Sequence, residues 1–495
     1  MRLGIDFGTT HTVVAYCDRG NYPLVSFPDA QGDAFDWLPS LAAERGGELQ
    51  FGFAAETLES EAAATPLRSM KRLLRNPQAE PISVGATAFT PPELVARFLL
   101  ELRAQLRARL QLRRSEPMQA AIAVPANTHS AQRFATLNAF RAAGFDVLAM
   151  LNEPSAAGFE YTHRYRNTIT TRREHVVVYD LGGGTFDVSL VRMHGKRHEI
   201  LATAGTSDLG GDDFDAILLD LLCAKIGRRV ADLPAALRAS LLLRCRQAKE
   251  RLNPSSRKIV LEAPELRRDE VVLSVPDYFE ACQPLVDKTL DTLESVLGSV
   301  SDAELAGIYV VGGASSLPCI ARALRDRYGR RVHRSPYPFA ACAIGLAIAA
   351  DADSEYQLHD RFSRHLGVFR EASAGHDIAF DVILDKETSL PGTFDATRIY
   401  RAAHNVGHFR FVECSDVGHD GTPRGDITPY ADVLFPFDRK LQHNRADLLG
   451  ATIERMSEGP LIEERYHVDA HGAVSVRLRD VESGFERAFH LDAKA

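Results

Sequence analysis

The chain has 495 residues, 45% hydrophobic and 25% charged, which is enough apolar material for large cores and, at roughly 150 residues per domain, about three domain-sized units. A formal charge of −8 argues against a protein that coats nucleic acid or an anionic membrane, and the apolar runs fall well short of the ~20 residues of a membrane span. Met1-Arg2 leads straight into Leu3-Gly4-Ile5, so no secretory signal is expected. Seven scattered cysteines without a CxxC read as free buried thiols of a reducing, cytoplasmic compartment.

Up to residue 350 short β-branched runs alternate with longer helical patterns, as in an α/β domain. Strands are predicted at Leu3–Ile5, Val13–Tyr16, Ala121–Val124, Val176–Tyr179, Val188–Val191 and Ile308–Val311. Residues 93 to 114 read as a helix, with Leu99, Leu102, Leu106 and Leu110 in one apolar stripe and its arginines on a solvated face. Asp351–Glu355 is short, polar and acidic, which suits a domain edge. Beyond it lie alternating segments at Ala379–Leu384, Phe409–Cys414, Val433–Phe437, Glu464–Val468 and Ala473–Leu478, so this region is expected to be an all-β sandwich. His404 and His408 have the i, i+4 spacing of a zinc pair, but they stand at a strand approach and read as solvated.

Two segments about one domain apart repeat one device. Gly4-Ile5-Asp6-Phe7-Gly8-Thr9-Thr10 and Val178-Tyr179-Asp180-Leu181-Gly182-Gly183-Gly184-Thr185-Phe186-Asp187 each run from a buried strand through an Asp into a Gly turn with a hydroxyl residue, and then into a returning strand. Glycines let backbone N–H groups approach phosphate oxygens, and Thr9, Thr10 and Thr185 can donate to the same oxygens. Asp6, Asp180 and Asp187 would repel a phosphate, but they suit Mg²⁺ held between them and a nucleotide through water. Gly312-Gly313 at the end of Ile308–Val311, just ahead of a helix beginning near Leu317-Pro318, offers a further place for the nucleoside or α-phosphate.

These motifs resemble the heat shock protein 70 family of chaperones, within the actin-like ATPase superfamily. GIDFGTT and YDLGGGTFDVSLV are similar to its two phosphate loops, and residues 121 to 157 to the long signature between them. LGGDDFD at 209 to 215 and VVGGASSLP at 310 to 318 complete the set. The resemblance implies an α/β actin-like ATPase domain of two RNase H-like halves over 1–352, a linker over 353–362, and a β-sandwich over 363–495 that takes extended peptide. Lys71 matches the catalytic lysine, Glu153 a carboxylate ordering metal and water, and Pro125 a coupling proline. Asp180, Thr185 and Asp187 join Lys71 and Glu153 as catalytic residues, with Asp6, Asp180 and Asp187 at Mg²⁺. Gly8, Thr9, Thr10, Gly182, Gly183, Gly184, Thr185, Gly210, Gly211, Lys249, Gly312 and Gly313 are assigned to ATP. Phe380–Pro391 and Tyr466–Asp480 resemble sandwich segments of the family.

Four departures mark a divergent, YegD-like member. In the helix CRQAKERLN, Lys249 is kept, but Arg246, Glu250 and Asn253 replace the family's Glu, Arg and Ser, and Ser316 stands where a second base-stacking arginine is usual. The tail Ser335-Pro-Tyr-Pro-Phe339 differs from the common motif. Glu355–Asp360 replaces a leucine-rich linker, and the chain stops at Ala495, where a helical lid would follow in the full family pattern. The reading is an ATP-binding, slowly ATP-hydrolysing chaperone acting on unfolded or specific client polypeptide, with J-type or nucleotide-exchange partners and neither nucleic acid nor membrane. The alternative is a nucleotide-responsive interaction module with little ATPase activity.

Overall fold

The structure is a computed structural model that describes the chain apart from residues 61–65, 127, 196, 207, 265–267, 299, 302, 355–356, 363, 373–376, 387, 391–392, 443–447, 470–471 and 492–495. It divides into two compact units, Met1–Asn127 with Thr136–Gln357, and Thr128–Ala135 with Leu358–Ala495. No helix among the described residues is long and apolar enough to cross a membrane.

Two mixed sheets organise the first unit. Strands β1 (Arg2–Phe7), β2 (His11–Tyr16), β3 (Leu38–Pro39), β4 (Gln119–Val124) and β5 (Asp146–Asn152) lie in the order β5-β4-β1-β2-β3. Strands β6 (His175–Leu181), β7 (Phe186–His194), β8 (Arg197–Thr206), β9 (Leu305–Val311) and β10 (Val332–Arg334) follow as β10-β9-β6-β7-β8. In each sheet the central strand, β1 or β6, is parallel to one neighbour and antiparallel to the other. The repeat visible in the two glycine loops therefore extends to the sheets that carry them. Leu3, Ile5 and Phe7 of β1, and Val176, Val177 and Val178 of β6, are wholly buried, as strands covered on both faces require.

The helices that matter to the site are α1 (Met70–Leu73), α2 (Pro91–Arg109), α3 (Glu153–Tyr165), α4 (Gly211–Lys225), α5 (Ala235–Glu250), α6 (Val275–Leu297), α7 (Pro318–Tyr328) and α8 (Ala341–Ala350). Every predicted strand of this unit is present and longer than expected. Helix α2 is shorter than predicted at its C-terminal end, stopping at Arg109 rather than 114, because Gln111 turns left-handed at φ 53°. Leu99, Leu102 and Leu106 are buried as the stripe required, while Leu110 is only partly so. Helix α8, ACAIGLAIAA, carries no charge and is buried almost throughout. It fits against β1 and α3 at bare backbone, since a Cβ on Gly4 would lie 2.2 Å from the Ala343 carbonyl oxygen and one on Gly345 would lie 1.7 Å from that of Ala156.

The second unit is β-rich. Strands β11 (His365–Ala372), β12 (Asp377–Leu384), β14 (Val406–Val417) and β15 (Pro423–Pro436) form one antiparallel sheet in the order β12-β11-β14-β15. The other is built from β13 (Phe394–Arg401), β16 (Leu461–Val468), β17 (Val474–Asp480) and β18 (Glu486–His490), in the order β13-β16-β17-β18. Val368, Phe411 and Phe435 of the first sheet share one core with Ile462, Val476 and Leu478 of the second. Within the expected linker, Gln357–Arg361 is a strand whose Asp360 and Arg361 pair with Leu390 and Ser389. Glu355 and Tyr356 of that segment, Glu387 and Pro391 of the Phe380–Pro391 segment, and Ala470 and His471 of the Tyr466–Asp480 segment lie outside the described residues.

A charged cluster bridges the two sheets. Glu464 on β16 is fully buried and accepts from Arg370 of β11 at 3.0 and 2.7 Å and from the Tyr466 hydroxyl at 2.6 Å, with Tyr400 as a further donor. Arg370 also donates to Asp381 of β12 at 2.7 Å, and Arg398 of β13 reaches the same carboxylate at 3.0 Å. His404 and His408 are not simply solvated, because His404 sits 3.3 Å from Glu371 and His408 sits 3.1 Å from Asp432. All seven cysteines are free, and six are buried.

Candidate functional site

The two repeated strands end at one cavity of about 380 Å³ in the first unit. Asp6 and Asp180 are the next-to-last residues of β1 and β6. The turns after them, Gly8–Thr10 and Gly182, Gly183 and Thr185, line the cavity together with Lys71, Glu153, Gly211, Lys249, Gly312 and Gly313. Of the residues expected at the site, only Gly184, Asp187 and Gly210 do not face it. Gly184 holds the guanidinium of Arg72 on its carbonyl at 2.8 Å, which ties the second loop to α1. Asp187 is buried on β7, directly across from Asp180 in the ladder. Gly210 caps α4, and a Cβ there would stand 2.5 Å from the Gly184 nitrogen.

Each loop is fixed from outside the cavity. The Gly8 N–H donates to the His11 carbonyl at 3.1 Å, and the Ser40 hydroxyl donates to the Gly8 carbonyl at 2.9 Å. Gly182 N–H donates to the Thr185 carbonyl at 3.0 Å, while the first turn of α4 binds the loop from below, Gly211 N–H to Gly182 O at 2.9 Å and Asp212 N–H to Gly183 O at 2.8 Å. Gly312 has φ 84°, and a side chain there would strike the Leu181 carbonyl at 2.3 Å and the Asp180 carboxylate at 2.4 Å. Ser69, immediately before α1, is one of three non-glycine residues in the left-handed region among the described residues, a sparsely populated conformation at the point that delivers Lys71.

The electrostatics are dominated by carboxylates. Burial raises the Asp6 carboxyl above its ordinary range and Glu153 adds to the rise, with Lys71 and the Cys342 thiol, which donates to it, acting the other way. Asp180 is raised further by burial and by Glu153, Asp187 and Asp6. Burial disfavours the charged form of Lys71, but Glu153 and Asp6 outweigh it, so the ammonium stays charged and hydrogen-bonded to Glu153. Burial and the same carboxylates keep the Cys342 thiol protonated. Asp6, Glu153 and Asp180 thus gather around Lys71, and a hard divalent cation bound there would favour the charged form of the carboxyls that burial and mutual repulsion hold up. Among the described residues no three His, Cys, Asp or Glu side chains are grouped to ligate a metal directly. The donor set therefore fits an oxygen-seeking ion that keeps its waters, with hydroxyls and glycine turns left for phosphate.

Two lining residues, His11 and Trp37, were not picked out from the sequence, nor were the partners of Arg246. Trp37, the chain's one tryptophan, packs on His11 with ring centroids 4.0 Å apart, and both face the cavity. His11 is held neutral, its pKa pushed down to about 3 by burial and by Arg246 and Arg68. Arg246 of α5 is bound by Asp212 at 2.8 Å and Asp215 at 3.1 Å. The paired acids of LGGDDFD were the signal for that anchor, but the arginine they hold lies 34 residues beyond Asp212 and 31 beyond Asp215.

A family model described as Hsp70 protein matches residues 2–360. The chain is 31% identical over 420 residues to a protein of Colwellia psychrerythraea named chaperone protein HscA homolog, covering 79% of this chain and 65% of that one. Proteins of the same name from Bordetella pertussis and Laribacter hongkongensis are 32% and 33% identical over 370 and 373 residues, each match covering 71% of this chain and 58% of the relative. The chain thus spans less than two thirds of the length of these curated relatives.

Proposed function

We propose, on the premise that this chain belongs to the Hsp70 family, that its first unit binds Mg²⁺·ATP in the cavity between the glycine loops and hydrolyses it slowly. The observation that carries the reading is Lys71 set among Asp6, Glu153 and Asp180 where two Asp-ended strands meet. The paired sheet orders support an actin-like domain of two RNase H-like halves over 1–352, followed by a linker over 353–362 and a β-sandwich over 363–495. Like the relatives named as chaperones, the protein would act as a chaperone; from the family resemblance it would take client polypeptide and a J-type or nucleotide-exchange partner, in a reducing compartment that suits its free thiols.

In the reaction a water oxygen bonds to the γ-phosphorus as the bond to the β–γ bridging oxygen breaks, releasing ADP and phosphate. Lys71 holds positive charge beside the transferring group, and Glu153 fixes the direction of its ammonium. Thr9, Thr10 and Thr185 supply hydroxyl donors to phosphate oxygens, and the glycines beside them leave room for backbone N–H groups. Asp6 and Asp180 would hold Mg²⁺ through water, with Asp187 adding negative charge behind Asp180. Bound there, Mg²⁺ neutralises charge on the phosphates.

Single-turnover hydrolysis by wild type and Lys71→Ala tests the proposal. Slow phosphate release that the substitution abolishes supports it. Tight binding of ATP without phosphate release in either protein would replace it with a nucleotide-responsive binding module. That reading draws on the engagement of Lys71 by Glu153, which leaves the ammonium already occupied.

A further inference from the structure

The cavity lining changes character along its length. At the two glycine loops it is polar, with their hydroxyls and with Lys71 among Asp6, Glu153 and Asp180. The third glycine turn leads away from them. A Cβ on Gly312 would come within 2.4 Å of the Asp180 carboxylate, whereas one on Gly313 would meet nothing within 4 Å. Past that open position the lining turns apolar, with Leu252 just beyond α5, Ala314 and Leu317 in the turn, and Pro338 and Phe339 ahead of α8. Leu317 belongs to the core of the first unit and Leu252 and Ala314 pack on it, so that part of the wall is fixed. Phe339 stands apart from this core. It is 36% exposed, and among the described residues no other aromatic ring packs on it. Trp37, the other large ring at the cavity, already packs on His11, Phe35 and Phe53, with centroids 4.0, 5.1 and 5.3 Å away. The main chain around Phe339 is pinned: the Pro338 carbonyl accepts from the Gly312 N–H at 2.7 Å, and the Ala340 N–H donates to the Tyr337 carbonyl at 2.8 Å. An aromatic face held open to water on a pinned turn is prepared for a flat apolar partner.

We infer that Phe339 is the platform on which the base of the bound nucleotide stacks. The inference rests on the nucleotide reading above. With phosphates on the glycine loops and Mg²⁺ among the carboxylates, the base is the part of the ligand with an apolar face, and the wall that carries Phe339 is the apolar lining those loops leave open. Two departures of the sequence meet on this wall. Glu250 and Ser316 stand where the family resemblance places base-stacking arginines, and the tail Ser335–Phe339, which also departs from the family motif, brings an aromatic ring to the same cavity. The stacking surface lost with the arginines is thus supplied by a phenylalanine from another segment. Every base has a π-face, and a stack on one aromatic side chain that stays partly open to water is expected to contribute about ten-fold in affinity, or about 1.4 kcal/mol.

Calorimetric titration of the full chain with the Mg²⁺ complexes of ADP and of pyrophosphate, which keeps the phosphates and lacks the base, tests this directly. Phe339→Ala should weaken ADP about ten-fold and leave pyrophosphate unchanged. Phe339→Trp should bind ADP at least as tightly as the wild type, and Phe339→Leu, apolar but without a π-face, should fall between the wild type and Phe339→Ala. Wild-type affinity for ADP in Phe339→Ala would overturn the inference while leaving a nucleotide site in place. So would equal weakening of ADP and pyrophosphate, the mark of a ring that shapes the phosphate loops instead of holding a base. Binding of neither ligand by the wild type would overturn the nucleotide reading itself and the inference with it.

Discussion

Replacing Arg370 with methionine should cost the β-rich unit about 3 kcal/mol, the lower end of the range for stripping one partner from a buried ion pair. Glu464 is fully buried and Arg370 supplies it with two hydrogen bonds of 3.0 and 2.7 Å, so the substitution leaves a carboxylate in a low-dielectric core with, among the described residues, only the hydroxyls of Tyr400 and Tyr466 as donors. Those two hydroxyls, and the Arg398 guanidinium that keeps Asp381 paired, hold the loss at the lower end. Methionine fills much of the aliphatic volume, so little of the cost is cavity. For a unit of this size the melting transition should fall by roughly 10–15 °C. Differential scanning calorimetry of the whole chain reads it, with the transition of the first unit as an internal control. The double variant Arg370→Met/Glu464→Leu should recover most of the loss, because it removes the stranded charge along with its partner. A single variant that shifts the transition by less than about 3 °C, or a double variant no better than the single, would refute the reasoning.

Three further outcomes follow from the same geometry. Burial pushes the Asp381 carboxyl up, but hydrogen bonds from Arg398 and Arg370 outweigh it and hold the group below its ordinary value of 3.8; its contribution to stability is therefore present above that value and lost as the pH falls through the lower folded one, and urea melts across pH 2–5 should show an acid-side loss that Asp381→Asn flattens. Gly345→Ala places a methyl group 1.7 Å from a backbone carbonyl and should destabilise the first unit by about 1–3 kcal/mol, read as a lower urea midpoint, whereas an unchanged midpoint would mean that α8 can shift freely. Gly312→Ala forces a left-handed backbone position and meets Leu181 and Asp180, so nucleotide affinity followed through Trp37 should drop at least ten-fold while the β-rich unit melts unchanged.

Much of the first unit was legible because its signals are local. An apolar run that ends in Asp and a glycine turn specifies strand, bend and hydroxyl within ten residues, and β1 and β6 appeared as expected. Strand β8, RHEILATAGT, gave no such signal because its burial is uneven along its length. The end of α2 depended on one left-handed glutamine. The partners of Arg246, the Arg334 contact to Ser316 and the cluster around Glu464 each join segments that only the sheet registers bring together. The sequence could show that these side chains were charged, but not which charges would meet.

The seam between β1 and α8 also fixes when the first unit can fold. Its second residue onward forms the central strand, yet the helix that covers Gly4 is made of residues 341 to 350. At 5–20 residues per second a ribosome needs on the order of 20–70 s to supply that cover. Throughout synthesis Leu3, Ile5 and Phe7 belong to a strand whose packing partner does not yet exist, and α8 emerges as a stretch with no polar face to keep it in water. A protein read as a helper of unfinished chains thus has a long unfinished interval of its own, closed only when the last helix of the unit meets its first strand.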